Sequence, residues 1–329
     1  MRPLRSALVV RSCDQCFHII SRVVDRRIIF HKEEKARFHK IMRSLADFSG
    51  IQILSYCIMG NHFHILVRIP AFPESIPEEE IWKRMEHIYT DEKIADFRKM
   101  IEVSRADGNY AGIEKFFDHM RARMYNLSVY VQGLKQRFSV YYNLKNNRKG
   151  TLWEERFKSV LIEGSPDALI RVAAYIDLNP LRAGMVSDPK HYLWSSYGEA
   201  VSGNQVAQKG LITLFQGQYD TPDWPAVLSR YQLFLIKKAV KTSRSSHQDG
   251  LMPEQFIQET TSHKSGLDFS EITNSRRRFF TEGLILGSKS FIENFWSQRR
   301  LLLGKNRRRI CSPISGNEWG ELHSFRPPD

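Results

Sequence analysis

The stretch Gly60-Asn61-His62-Phe63-His64-Ile65-Leu66-Val67 decides how this chain is read. Along a strand, alternate side chains share a face. Phe63, Ile65, Val67 and Ile69 therefore form one unbroken apolar face, while His62 and His64 project together from the other. The apolar face belongs against a core, which leaves the imidazoles free to line a site. Two imidazoles at i and i+2 suit a divalent metal that keeps room for further ligands. Spacing alone leaves a second reading open, in which both histidines lie on a solvated strand face and do no chemistry.

Working outward, residues 17–24 (FHIISRVV) read as a strand rich in β-branched residues. Residues 32–48 are amphipathic, with Phe38, Ile41, Met42 and Leu45 at helical spacing, and Ser49-Gly50 stops that helix. Residues 51–58 form a second strand, Met59-Gly60-Asn61 a tight turn, and residues 63–69 a third strand. From 78 to about 144 the pattern is charged and periodic without strand signals, which predicts several helices with a break near Asp107-Gly108-Asn109. Residues 157–163 (FKSVLIE) return to strand character. Ser165-Pro166-Asp167 then opens a helix, with Ser as N-cap and Pro in the first turn, and Asn179-Pro180 closes it. With the helical stretch set aside, the order is β-α-β-β-α-β, the pattern of an α+β, ferredoxin-like antiparallel sheet with packed helices.

On this reading residues 1–201 form one domain with an insert at about 78–146, followed by a mixed connecting region at 202–266. A polar, Ser-rich stretch at 241–250 looks like a linker. Residues 267–329 are expected to form a basic, mostly helical C-terminal segment. Arg276-Arg277-Arg278 and Arg307-Arg308-Arg309 lie near the ends of its helical part, and Gly287-Ser288 breaks it in the middle.

Composition narrows the function. The chain has 329 residues, 42% of them hydrophobic, and a formal net charge of +13. It can bury a core, and its charge favours a polyanionic partner whose phosphates give up counterions. No apolar run reaches the ~18–20 residues that a membrane span needs. The polar residues within the first ten interrupt any signal-peptide core. Four cysteines in so long a chain are no disulfide framework, so a reducing, cytoplasmic compartment is expected. Cys13 and Cys16 make a lone C-x-x-C pair, two ligands short of a tetrahedral zinc site.

The helix after the fourth strand buries Leu169, Val172, Ala173 and Ile176. Arg171, Tyr175 and Asn179 follow at i, i+4 and i+8 along another stripe. A phenol between a cation and an amide is suited to attack phosphorus, with Arg171 steering the phosphate. Helical position alone cannot choose among 12 tyrosines, and a tyrosine at a helix edge is the plain alternative. Trp153, Arg156 and Lys158 flank the fourth strand and suit a single nucleic-acid strand, although Trp153 reads equally well as a core anchor. Arg148 and Lys149 stand in a basic turn that could contact phosphates or simply be solvated.

Three segments carry a resemblance: SYCIMGNHFHILV, GTLWEERFKSVLIE and YIDLNPLRAGMV, in this order. From about Phe17 to Tyr197 the chain resembles the REP-associated tyrosine transposases, within the single-tyrosine, His-hydrophobe-His superfamily. The resemblance implies a ferredoxin-like core and Mg²⁺ or Mn²⁺ held by His62 and His64. It also implies that Tyr175 cleaves and rejoins single-stranded hairpin DNA through a 5′-phosphotyrosine, with Asn179 completing the metal shell. A monomer and a homodimer are both compatible with it. The insert is longer than in compact members of the group. The segment RRRFFTEGLILGSKSFIENFW resembles a tail of longer members and could support a helix-turn-helix-like binder or a plain helical hairpin. Two other readings stand beside this one. A domesticated, non-cleaving DNA-binding or regulatory protein would not need His62, His64 and Tyr175 all intact. A replication initiator or relaxase would show a helicase or another motif order.

Overall fold

The β-branched run after Asp14 becomes strand β1 (Gln15–Arg22), and the amphipathic stretch becomes helix α1 (Lys32–Ser49). Gly50 ends α1 in the left-handed region, at φ 67°, where a side chain would be strained. Strands β2 (Gln52–Ile58) and β3 (His62–Ile69) then form a hairpin around the Met59-Gly60-Asn61 turn. Strand β4 (Lys158–Ile162) and helix α6 (Pro166–Asp177) come after four intervening helices. These are α2 (Glu78–Met85), α3 (Asp91–Ala106), α4 (Tyr110–Arg121) and α5 (Leu127–Lys145). This computed structural model describes residues 12–218, 223–243, 283–297, 311–313 and 322–325.

The first four strands lie in the order β2-β3-β1-β4, and every neighbouring pair is antiparallel. This is the ferredoxin-like arrangement expected from the element order. One face of the sheet carries Phe17, Ile19, Phe63, Ile65 and Val67, and it packs against Phe38 and Met42 of α1 and Leu134 and Phe138 of α5. The other face is covered by α6, by α8 (Ser196–Val201) and α9 (Gln205–Leu214), and by α10 (Trp224–Ser243). A bulge between Ile53 and Ser55 puts Leu54 in this second layer. A third cluster, including Phe48, Ile81, Ile101 and Phe117, holds α2 to α4 together.

The C-terminal segment departs from the expectation. Ile285–Ser288 is a strand, β5, which runs parallel to β4 with Leu161 opposite Ile285 and Ile162 opposite Leu286. The cause is the free edge of β4: Ile285 and Leu286 are both 0% exposed there, so an apolar run takes up ladder hydrogen bonds in place of a helix. Gly287-Ser288 is therefore not a break between two helices. A Cβ on Gly287 would come within 2.7 Å of Glu163, so only glycine lets β5 approach so closely. Ser288 caps the helix that follows, α11 (Lys289–Ser297), by accepting from Phe291 N at 3.1 Å. Strands β6 (Cys311–Pro313) and β7 (Leu322–Phe325) complete a seven-stranded sheet in the order β2-β3-β1-β4-β5-β7-β6. The two triple-arginine runs lie outside the described residues, as does the expected linker beyond residue 243.

Candidate active site

The register between β1 and β3 sets the site. Ile20 lies opposite His64, Arg22 opposite His62, and His18 opposite Leu66. Residues facing each other across an antiparallel pair share a face, so His18, Arg22, His62 and His64 converge on the side covered by α6. Among these, His18 and Arg22 carry no notice in the motif stretch. Their signal is the alternation of FHIISR on β1, which puts both on the histidine face.

His64 is 3% exposed and His18 is 0% exposed, and His18 Nε2 lies 3.0 Å from His64 Nδ1. His62 is half-buried and its Nδ1 lies 2.7 Å from Asn61 Oδ1. Asn61 Nδ2 donates to Arg26 O at 2.8 Å, which fixes the amide and makes its Oδ1 the acceptor. His62 Nδ1 therefore carries the proton, and Nε2 keeps the lone pair that a metal needs. His64 Nδ1 and His18 Nε2 share one proton across their contact, and where His64 is the donor its Nε2 keeps its lone pair in the same way.

Electrostatics keep both imidazoles neutral. Burial, followed by the Arg22 charge, lowers the His62 pKa to about 4. Burial also pushes His64 well below the ordinary histidine value, helped by His62, His18, Arg22 and Arg182.

Tyr175 comes to this pair from α6. Its ring centroid lies 5.8 Å from that of His64 and 6.1 Å from that of His18, edge-on in both cases. It is 8% exposed, more deeply set than a tyrosine at a helix edge. Arg182 covers its ring at 5.1 Å and donates to Tyr175 O at 3.0 Å. Arg182 follows Tyr175 at i+7, about two helical turns further along the same stripe, a spacing that could have marked it. Asp177 anchors the end of α6. It is buried and accepts from Tyr231 OH at 2.7 Å and Tyr197 N at 3.1 Å, and burial raises its pKa to about 7.

The family model described as "Transposase IS200 like" matches residues 12–88, which span β1, α1, β2 and β3 and contain His18, His62 and His64. Over this stretch the chain is similar to IS200-like transposases. No curated protein matches the sequence. A solved structure described as a REP-associated tyrosine transposase bound to a REP hairpin is similar to the chain at 13% identity and a TM-score of 0.39. The similarity covers 63% of this chain and 90% of that one. The family points to a DNA-processing enzyme. The matched stretch stops short of α6, so Tyr175 stands beside it on geometry alone.

Other residues singled out in the sequence fall around the matched stretch in different ways. Asn179 is near the site, but its Nδ2 donates to Tyr175 O at 2.9 Å and to Ile176 O at 3.2 Å, closing α6. Arg171 is held by Asp167, with Nη2 2.7 Å from Oδ1. Trp153 lies in the core beside Phe63, and its indole N–H donates to Ser139 Oγ at 2.8 Å. Of its two readings, the structure places it as a core anchor. Arg148 donates to Thr151 O at 2.8 Å, Lys158 pairs with Glu155 at 3.1 Å, and Lys149 and Arg156 are exposed. Among the described residues, no cluster of three or more His, Cys, Asp or Glu side chains could hold a metal, and no helix is long and apolar enough to cross a membrane.

Proposed function

We propose that the chain is a transposase that cleaves and rejoins single-stranded hairpin DNA, with Tyr175 as nucleophile. The observation that carries this reading is the placement of the Tyr175 ring 5.8 Å from His64, brought there by a helix remote in sequence. His62 and His64 would hold Mg²⁺ or Mn²⁺ through Nε2. The tautomer that Asn61 imposes on His62 suits that role, and two imidazoles leave the remaining positions to phosphate and water oxygens. Asn179 would join them only if its amide oxygen is the atom offered, since its nitrogen holds the helix end. When bound, the ion polarises the phosphate and offsets charge in the transition state.

The chain's own groups do the rest. Arg22 and Arg182, whose charges already reach the imidazoles, supply cations for the scissile phosphate. Tyr175 Oη attacks phosphorus, forming an O–P bond as the bond to the 3′-oxygen breaks. The phenol proton passes to solvent, the departing 3′-oxygen takes one up from solvent, and the products are a 5′-phosphotyrosine and a free 3′-hydroxyl. A 3′-hydroxyl attacking the phosphotyrosine reverses the step and joins strands. Of His62, His64 and Tyr175, His62 is the most exposed, so a phosphate would meet it first.

The test is a denaturing gel of protein incubated with labelled single-stranded hairpin DNA and Mg²⁺ or Mn²⁺. A covalent adduct is expected, and Tyr175→Phe should lower its rate by roughly 10³-fold or more while DNA binding persists. Binding without any adduct across a panel of hairpins favours a domesticated DNA-binding protein on the same scaffold. An adduct that survives Tyr175→Phe assigns the nucleophile elsewhere.

A further inference from the structure

A second basic feature lies on the opposite side of the sheet. A groove of about 1070 Å³ runs between α1, α4 and α5, floored by Ile41, Leu45 and Tyr130. Arg37, Arg123 and Arg137 line it, and no aspartate or glutamate does. Neutral groups hold all three guanidinium groups. Arg123 donates to Tyr89 OH at 2.8 Å and lies 4.7 Å over the Phe48 ring. Arg137 donates to Ile88 O at 3.2 Å, and Arg37 lies 5.4 Å over the Tyr141 ring.

Cations close by are treated differently. Arg84 pairs with Glu80 at 2.6 Å, Arg121 with Glu114 at 2.9 Å, and Lys145, at the end of the groove, with Glu33 at 2.6 Å. Where charge serves the fold, this part of the chain supplies a carboxylate. Around Arg37, Arg123 and Arg137 it forms no ion pair among the described residues, so three like charges face one another. Burial lowers the Arg137 pKa, and the charges of Arg123 and Arg37 lower it further. An anion between them would relieve that repulsion.

We propose that this groove binds the phosphodiester backbone of a nucleic-acid strand. Its volume is at the top of the ~300–1,000 Å³ range of small-ligand pockets, which suits a length of chain better than a single ion. Exposed Gln132 and Gln136 add hydrogen-bonding groups along it, and the net charge of +13 favours a phosphate polymer. The inference rests on the nucleic-acid part of the proposed function but not on cleavage. It gives the insert a task separate from the histidine site, on the other face of the sheet.

The test uses the full chain and single-stranded DNA of about 30 nucleotides, with affinity measured across a salt series. Arg37→Glu and Gln136→Glu place a negative charge at two exposed positions of the groove. Lys99→Glu does so on exposed α3, outside it. Each groove variant should weaken binding by ~3–10-fold at moderate salt, and Arg37→Glu should flatten the salt slope by about one. Lys99→Glu should change affinity less than about 2-fold. Thermal melts confirm folding, and Gln136→Glu, which breaks no observed bond, decides the matter if Arg37→Glu is unstable. Groove variants that match Lys99→Glu overturn the proposal. So does polyglutamate that displaces DNA equally well at matched charge, since it would assign the groove to an acidic peptide. Failure of the wild type to bind DNA overturns both proposals, whereas intact binding without an adduct overturns only the tyrosine reading.

Discussion

Strand β3 has two faces built for opposite ends. Phe63, Ile65 and Val67 are each 0% exposed against aromatic and aliphatic neighbours, and every atom there stabilises the fold. One residue away on the same strand, His64 is nearly as buried yet sits among two other imidazoles and two guanidinium charges. Burying such groups opposes folding unless they are hydrogen-bonded and neutral. The apolar face supplies the stability that lets the polar face keep its strained company. Separating the two effects experimentally is the best way to test that division.

The largest effect on stability should come from the apolar side. Trp153→Ala removes an indole packed on Phe63 and should cost about 3–5 kcal/mol, read as a shift in the urea midpoint. Adduct formation per folded molecule should hardly change. A loss of chemistry in a still-folded variant would show that the indole acts at the site after all.

On the polar side, His64→Leu should reverse the pattern. Stability should fall by about 1–3 kcal/mol, because an aliphatic side chain of similar size replaces the imidazole but buried His18 loses its hydrogen-bond partner. The rise in melting temperature on adding Mn²⁺ should disappear. If the Mn²⁺ response persists, His64 is no ligand.

His18→Ala tests the residue behind the pair. Loss of the 3.0 Å contact frees His64 to change tautomer, so apparent Mn²⁺ affinity should fall by about 10–100-fold. His18→Gln, whose amide can still hydrogen-bond to Nδ1, should recover part of it. Equal affinity in all three forms would make His18 a packing residue only.

The smallest effect is on pH dependence. His62 titrates at about 4 in the fold and near the ordinary value when unfolded, so the unfolded chain binds more protons between those limits. Stability from neutral His62 is complete above the ordinary histidine value and falls as the pH drops towards 4. Asp177 works the other way, because its raised pKa of about 7 makes stability fall as pH rises from its ordinary value through 7. The useful measurement is therefore a difference. Melting curves of His62→Gln should lose less stability than wild type between about pH 6.5 and pH 4, by a few kcal/mol at most. Parallel curves would mean that His62 is not held neutral.

Much of this was visible in the sequence because it rests on short-range rules. Alternation on β3, helical spacing in α1 and the Ser165-Pro166 start of α6 each need only neighbouring residues. His18 and Arg22 were missed because register across strands, not spacing within one, brings them to His64. Tyr175 was marked by its motif, but its depth was not, since His18, His64 and Arg182 reach its ring from β1, β3 and the turn beyond α6. Trp153 could not be settled for a similar reason: its partners Phe30, Phe63 and Phe138 come from three separate elements. The C-terminal strand was misread because a run such as Leu284-Ile285-Leu286 fits either a helix or a strand, and only an open sheet edge decides.

That edge has one more consequence. A four-stranded ferredoxin-like sheet ends on an unpaired β4, whose bare amides and carbonyls invite a strand from another molecule. Here β5 occupies that border, with β7 and β6 beyond it, and Ser288 ties the junction to Glu163 through its N–H at 2.6 Å and its hydroxyl at 3.0 Å. The chain has closed its own seam: two copies cannot join sheets through β4 unless the C-terminal strands first peel away.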